Sequence, residues 1–312
     1  MSLERAVAIA RAAGKRAHPK PTVGAVLVRG GETVAEGVTE PGGRHAEAVA
    51  LAAAGERARG ATMYVTLEPC AHHGSNPPCA DAIVAAGVER VVVGVADPNP
   101  EAAGGADTLR RGGVVVVESR DWAPRVLHEA WRAWVVRRRP FVVFKAAVTL
   151  DGRVVVPGRR WVSGEESRRL VHELRAEVDA VAVGGGTAQA DRPRLDARGV
   201  ETPRGQPRRL VFSGGPLPDG LDLELRTGAL ADELEALADE GVQSLLLEGG
   251  PTVAAAFLEA DLVDKLLLFV APVLAGAGPG LTAPLPSART LSHLTARPVG
   301  EDVLLEAYVH EP

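Results

Sequence analysis

The chain has 312 residues, 46% hydrophobic and 24% charged, the proportions of a folded chain with room for two ordinary domains. Its formal net charge of -5 argues against a general nucleic-acid binder, which needs a basic face, but leaves room for a local pocket that takes one phosphate. No apolar run reaches the roughly 18–20 residues of a membrane span, and the start, MSLERAVAIARAAGKRAHP, is too broken by Arg and Lys for a signal peptide; the expectation is a cytoplasmic protein with no membrane partner.

Residues 3–13 carry apolar positions at helical spacing behind Ser2, a candidate cap. VGAVLV (23–28) and the segment around Val34 flank Gly30-Gly31, a hairpin signal. HAEAVALAAA (45–54) predicts a helix, MYVTL (63–67) a strand and ADAIVAAG (80–87) a short helix closed by Gly87. RVVVGVAD (90–97) and VVVVE (114–118) are apolar runs of buried-strand type, and the intervening helices favour a layered α/β domain. An amphipathic segment, 121–139, ends in Arg137-Arg138-Arg139-Pro140, a boundary signal whose arginines read as a solvated helix end.

A second alternation follows, which places one domain over 1–139 and another over 140–312. Its strands are FVVFKAAV (141–148), DAVAVGGG (179–186), RRLVFS (208–213), SLLLEGG (244–250) and KLLLFVAPVL (265–274). Helices are expected near 163–176, where Ser163 and Glu166 have capping-box spacing, near 230–240, and from Pro251.

Only two cysteines occur, and in a reducing compartment a pair so close in sequence points to a metal or redox site. His45, Cys70 and Cys79 offer one imidazole and two thiolates, a set that holds Zn2+ tetrahedrally and leaves a fourth position for water. Glu47, two residues past the imidazole, is offset so as to reach that water and carry its proton to a leaving amine. Cys70 is expected to open a helix or turn whose N–H groups favour a thiolate. His72 and His73 are weaker candidates. A purely structural zinc is the competing reading.

VTLEPCAHHGSNPPCADAIVAAGVERVVVGVADPNP (65–100), with the turn Pro21–Gly24 and Asp97-Pro98-Asn99-Pro100, resembles the deaminase half of the bifunctional riboflavin-biosynthesis deaminase-reductase family. The resemblance implies His45, Cys70 and Cys79 on zinc and Glu47 as proton shuttle. It also implies a cytidine-deaminase-like three-layer α/β fold. The chain departs from the family at Lys20, usually Asn, and at Ser75-Asn76, usually Arg-Thr.

VAVGGGTAQADRP (181–193) and LLLEGGPTVAAAF (245–257) read as strand, glycine turn and helix, an arrangement that lets phosphates approach the backbone but is common without a ligand. Together with FVVFKAAVTLDGR (141–153), Trp161-Val162-Ser163 and Glu248-Gly249-Gly250-Pro251-Thr252, they resemble the reductase half of the same family, which has a dihydrofolate-reductase-like fold. What this implies is an NADPH site at Ala147, Trp161, Thr187, Asp191, Ser213, Gly249, Gly250, Pro251 and Thr252. Arg175, Leu195, Arg198 and Glu248 would line the substrate, with the two arginines suited to a sugar phosphate. Asp191 is the candidate to bridge cofactor and sugar; Lys145 and Asp151 would shape the site. Arg192 and Arg159 stand where the family has an acidic and a small polar residue.

The expectation is therefore an enzyme acting on a small phosphorylated pyrimidine, paired as a homodimer by resemblance alone. A paralogue with another amino-pyrimidine or only one active half, and a non-catalytic zinc-stapled NADPH-binding protein, are the alternatives.

Overall fold

The computed structural model describes residues 2–72 and 77–312, so His73 and the Ser75-Asn76 departure lie outside the described residues. The chain divides into two compact units, Met1–Arg137 and Arg138–Glu311. Among the described residues no helix is long and apolar enough to cross a membrane.

The first unit opens with α1 (Ser2–Ala13), the hairpin β1 (Gly24–Arg29) and β2 (Glu32–Val38), and α2 (Ala46–Ala54). It continues through β3 (Thr62–Val65), α3 (Cys79–Ala85), β4 (Arg90–Val93), α4 (Gly105–Arg111), β5 (Val115–Glu118), α5 (Trp122–Leu127) and α6 (Glu129–Arg137). Ser2 lies inside α1 instead of capping it. The sheet order is β2-β1-β3-β4-β5. The two-residue link at Gly30-Gly31 makes β1 and β2 antiparallel, while the helical crossovers make β3, β4 and β5 parallel. Leu27, Met63, Val65, Val91 and Val93 meet Ala46, Ala50 and Ile83 in one core.

His128, between α5 and α6, is buried, and its Nε2 lies 3.0 Å from Thr66 Oγ1, which also accepts the Gly24 N–H. Burial pushes its pKa down to about 3, with the Arg132 charge acting in the same direction. The native state thus holds His128 neutral at pH values where an unfolded chain protonates it. Stability is complete above the unfolded pKa of about 6.5 and is lost as pH falls from there towards 3. His128→Asn, which cannot titrate, is expected to flatten the pH dependence of the unfolding free energy between pH 6.5 and 4, measured by denaturant titration.

The second unit contains β6 (Phe141–Thr149), α7 (Glu165–Glu177), β7 (Ala180–Gly184), α8 (Gly185–Asp191), β8 (Arg208–Phe212) and β9 (Glu224–Arg226). α9 (Leu230–Asp239), β10 (Ser244–Leu247), α10 (Pro251–Glu259), β11 (Lys265–Ala271), β12 (Ser292–Val299) and β13 (Asp302–Tyr308) complete it. The sheet order is β12-β13-β11-β6-β10-β7-β8-β9, parallel from β11 to β9 and antiparallel at the β12-β13 edge. β10 is buried on both faces: Leu245 and Leu247 join Phe144 and Phe257, while Leu246 joins Val181, Val183 and Val211.

Several local expectations change. α7 is not capped by Ser163; its N-cap is Gly164, and Asp302 of β13 accepts the Gly164 N–H at 2.8 Å and the Ser167 hydroxyl at 2.6 Å. The run 137–139 is not uniformly a solvated helix end. Arg138 is exposed with φ 52°, whereas Arg139 is buried and donates to both oxygens of Asp264, at 2.6 and 2.9 Å. Asp264 is fully buried and also accepts the Val142 N–H, so this carboxylate ties the start of β6 to the residue before β11. Asp264→Asn leaves a buried guanidinium uncompensated, and a loss of about 3–5 kcal/mol is expected in equilibrium unfolding followed on the second unit.

Candidate functional site

His45 is the N-cap of α2, in extended conformation, and its Nδ1 points away from the helix to Cys79 Sγ at 3.3 Å and Cys70 Sγ at 3.5 Å. All three candidate ligand atoms lie within 4.8 Å of one another. A tetrahedral zinc with its usual bond lengths separates a nitrogen from a sulfur by roughly 3.6 Å, so the donor set fits that ion. Cys70 lies in the loop after β3; it is Cys79 that opens a helix, α3, and its N–H donates to Cys70 Sγ at 3.4 Å. The Cys79 thiol, more than the His45 contact, holds Cys70 down at about 4, and the same sharing pushes Cys79 up. A divalent cation replaces that shared proton when both sulfurs ligate.

Glu47, in the first turn of α2, is buried, and its carboxyl reaches the Cys79 thiol. Burial pushes it up to about 7, with the His45 charge acting in the opposite direction. His72 is not among the converging ligands.

Glu68 organises the loops around the cysteines, a role the sequence reading did not assign. One oxygen accepts the Asp97 N–H at 3.1 Å and the other the Ala106 N–H at 2.9 Å. Asp97 in turn accepts the Asn99 N–H at 2.8 Å, and burial pushes its carboxyl up to about 6. A Cβ on Gly105 would stand 1.6 Å from the Pro69 carbonyl oxygen, so only glycine lets the start of α4 lie against the Cys70 loop. Lys20 reaches over Gly43, its Nζ 2.9 Å from where a Cβ there would sit.

In the second unit a cavity of about 1170 Å³ opens at the carboxyl ends of the parallel strands. The glycine turns after β7 and β10 line it, and they are joined where the Gly250 N–H donates to Thr187 Oγ1 at 3.2 Å. Gly249 packs on Val253, where a Cβ would approach to 1.9 Å. Of the residues expected at the cofactor, Ala147, Trp161, Thr187, Asp191, Ser213 and the Gly249–Thr252 turn all face this cavity. Asp191 ends α8 at the exposed rim.

Arg175, Arg198 and Glu248 also line the cavity, but Leu195 does not. Leu195 has a left-handed backbone, φ 55°, and its side chain is 2% exposed, packed among Val181, Val183 and Val211. Arg175 is engaged within the cavity: its Nε and Nη2 donate to the two Glu248 oxygens at 2.6 and 3.0 Å. Lys145, partly buried beside them, lies 3.9 Å from Glu248. Burial opposes the Glu248 charge, yet Lys145 and Arg175 together keep the carboxylate below its ordinary pKa, while burial lowers that of Lys145. Arg198 is half-exposed and paired with Asp196 at 2.6 Å. Asp151 accepts the Thr149 hydroxyl and the Ala275 and Gly276 N–H groups, which ties down the loop after β6.

The family model for the RibD C-terminal domain matches residues 140–305, and that for the cytidine and deoxycytidylate deaminase zinc-binding region matches residues 1–95. The riboflavin biosynthesis protein RibD of Aquifex aeolicus is 37% identical, with 88% of this chain and 87% of that protein covered. RibD of Mycobacterium tuberculosis is 42% identical over 83% of this chain and 80% of its own. A solved structure from Thermotoga maritima, a diaminohydroxyphosphoribosylaminopyrimidine deaminase/5-amino-6-(5-phosphoribosylamino)uracil reductase, superposes with a TM-score of 0.82 at 30% identity, covering 98% of this chain and 97% of that one. With a zinc-binding deaminase region, an NADPH-using reductase domain and relatives matched over most of their length, the chain belongs to the RibD family of bifunctional riboflavin-biosynthesis enzymes.

Proposed function

We propose that the first unit, taken as residues 1–139, deaminates 2,5-diamino-6-ribosylamino-4(3H)-pyrimidinone 5′-phosphate, and that the second, 140–312, reduces the ribosyl chain of the product to ribityl with NADPH. The observation that carries this reading is the convergence of the His45 nitrogen and two cysteine sulfurs beside a buried carboxylate, in a chain whose other unit holds a glycine-lined cavity. The reactions named for the Thermotoga maritima protein support the choice of substrate.

His45, Cys70 and Cys79 would hold zinc, which supplies a Lewis acid that makes water acidic enough to attack near neutral pH. Glu47 does the proton work: its carboxylate accepts a proton from the attacking water and, once protonated, gives it to the departing ammonia. Glu68 acts at one remove, holding the Asp97 loop at the rim of the site through the Asp97 N–H.

In the second unit NADPH supplies the hydride. The Gly184–Gly186 and Gly249–Gly250 turns give its phosphates a backbone to approach, with Ala147, Trp161, Thr187, Ser213, Pro251 and Thr252 around them. Asp191, with its carboxylate at the rim, would meet both cofactor and sugar and carry a proton from the ribosylamine N–H to the ring oxygen as the ribose opens to an imine. Glu248 faces the substrate, oriented by the two-pronged grip of Arg175. Arg198 contacts the sugar phosphate by exchanging its pairing with Asp196, and Leu195 contributes only through its backbone. Two cysteines that must remain reduced to ligate support a cytoplasmic location. A homodimer is supported by β12, an exposed edge strand carrying Leu294 at 68% exposure, and light scattering tests it.

Mass spectrometry of products, with and without NADPH, tests the assignment: the amine-to-oxo change should need no NADPH, and reduction should require it. Absence of both changes with zinc-loaded protein would remove it. Glu47→Gln is expected to lower the deamination rate by about 10²–10⁴ while zinc content and NADPH oxidation on the deaminated pyrimidine stay unchanged. Cys70→Ser and Cys79→Ser should each lose most bound zinc, measured by elemental analysis, together with deamination, and should leave the reductase running.

A further inference from the structure

The reductase cavity has more cations than its carboxylates require, and their pairing is uneven. Lys145 and Arg175 face Glu248, Arg198 is held by Asp196, and Arg169 lies against Glu173 at 3.3 Å. Arg226, at the end of β9, is enclosed by Glu224, Glu233 and Glu240. Two cavity cations remain that contact no carboxylate among the described residues, Arg160 and Arg168, and both stand on the same side chain. The Arg160 guanidinium lies 5.0 Å and that of Arg168 5.6 Å from the ring centroid of Trp161, which is itself 54% exposed at the cavity. Arg168 also donates to the Ser163 carbonyl at 2.7 Å, which fixes it to the loop that carries the tryptophan.

A guanidinium resting on an indole face keeps its charge and most of its N–H donors, but loses the freedom that makes an exposed arginine a weak ligand. Two such groups on one ring, with no carboxylate to neutralise them, match a doubly charged anion with several acceptor oxygens. We propose that Arg160 and Arg168, held by Trp161, form a clamp for a phosphomonoester of a reductase ligand. The inference rests on the reading of the second unit as an NADPH-dependent reductase of a sugar phosphate. Both ligands then carry such a group, the 5′-phosphate of the pyrimidine riboside and the 2′-phosphate of the cofactor. Arg175, by contrast, is engaged by both Glu248 oxygens.

Calorimetric titration of the full chain with ribose 5-phosphate and, separately, with adenosine 2′-monophosphate reads the clamp without turnover. Arg160→Gln is the deciding variant, because Arg160 is exposed and its removal leaves the loop hydrogen bond intact; Arg168→Gln and Trp161→Leu are made beside it. Arg160→Gln is expected to weaken one probe by about tenfold and leave the other unchanged, with Trp161→Leu doing the same and an unshifted melting temperature in Arg160→Gln. Loss on ribose 5-phosphate assigns the clamp to the substrate and should appear in turnover as a raised KM for the phosphorylated pyrimidine with little change in kcat. Loss on adenosine 2′-monophosphate assigns it to the cofactor and should collapse the preference for NADPH over NADH. Binding of both probes that is indifferent to Arg160, or no binding of either to the wild type, overturns the clamp. If a probe binds through Arg160 but the wild type reduces no pyrimidine, the clamp stands and the proposed reaction falls.

Discussion

Parallel strands joined by helices set a constraint on where chemistry sits in this chain. Each crossover delivers the carboxyl end of a strand, a loop and a helix start to the same edge of the sheet. In the first unit β3 and β4 release Glu68, Cys70 and Asp97 at that edge, and α3 begins with Cys79. In the second, β7 and β10 release the two glycine turns, β8 releases Ser213, and β6 leads to the loop of Trp161. Residues scattered over more than a hundred positions converge because the sheet orders its strands, and not because the sequence brings them near.

Backbone N–H groups that no ladder satisfies need other acceptors, and carboxylates supply several of them. Glu68 takes the N–H groups of Asp97 and Ala106 beside the cysteines. Asp302 takes that of Gly164 at the start of α7, Asp151 those of Ala275 and Gly276, and Asp264 that of Val142. Where the donor is buried, as at Val142, losing the acceptor costs about 1–3 kcal/mol, and more because the Arg139 charge is orphaned with it. These acidic residues thus act on function through loop position, and the net negative charge of the chain coexists with a cationic cavity.

The two units use charge in opposite ways. Near the metal ligands burial is the largest influence on Glu47 and raises its carboxyl to about 7, against the opposing charge of His45. In the reductase cavity the chain surrounds Glu248 with Lys145 and Arg175, so the same residue chemistry becomes a fixed anion. Trp161 adds a third use, holding arginine charge without neutralising it.

What the sequence by itself determined was whatever depends on local spacing or on an unusual residue type. The alternation of strands and helices, the Gly30-Gly31 hairpin, Pro251 at a helix start, and His45, Glu47, Cys70 and Cys79 as one constellation were all legible. Two cysteines in a whole chain leave few partners to choose from. Tertiary structure decided the rest, because it depends on contacts between distant residues. Leu195 reads as a site residue in line with Asp191 and Arg198, yet its side chain points into the core. Arg175 reads as a phosphate ligand, yet Glu248, 73 positions on, fills its fork. Ser163 reads as a cap, yet Asp302 does the capping from β13. The edge strand β12 escaped the pattern because it is exposed on nearly every residue and shows no buried face. Which arginine is paired and which is left to a ligand is set by what lies across the fold, and one-dimensional spacing holds no record of that.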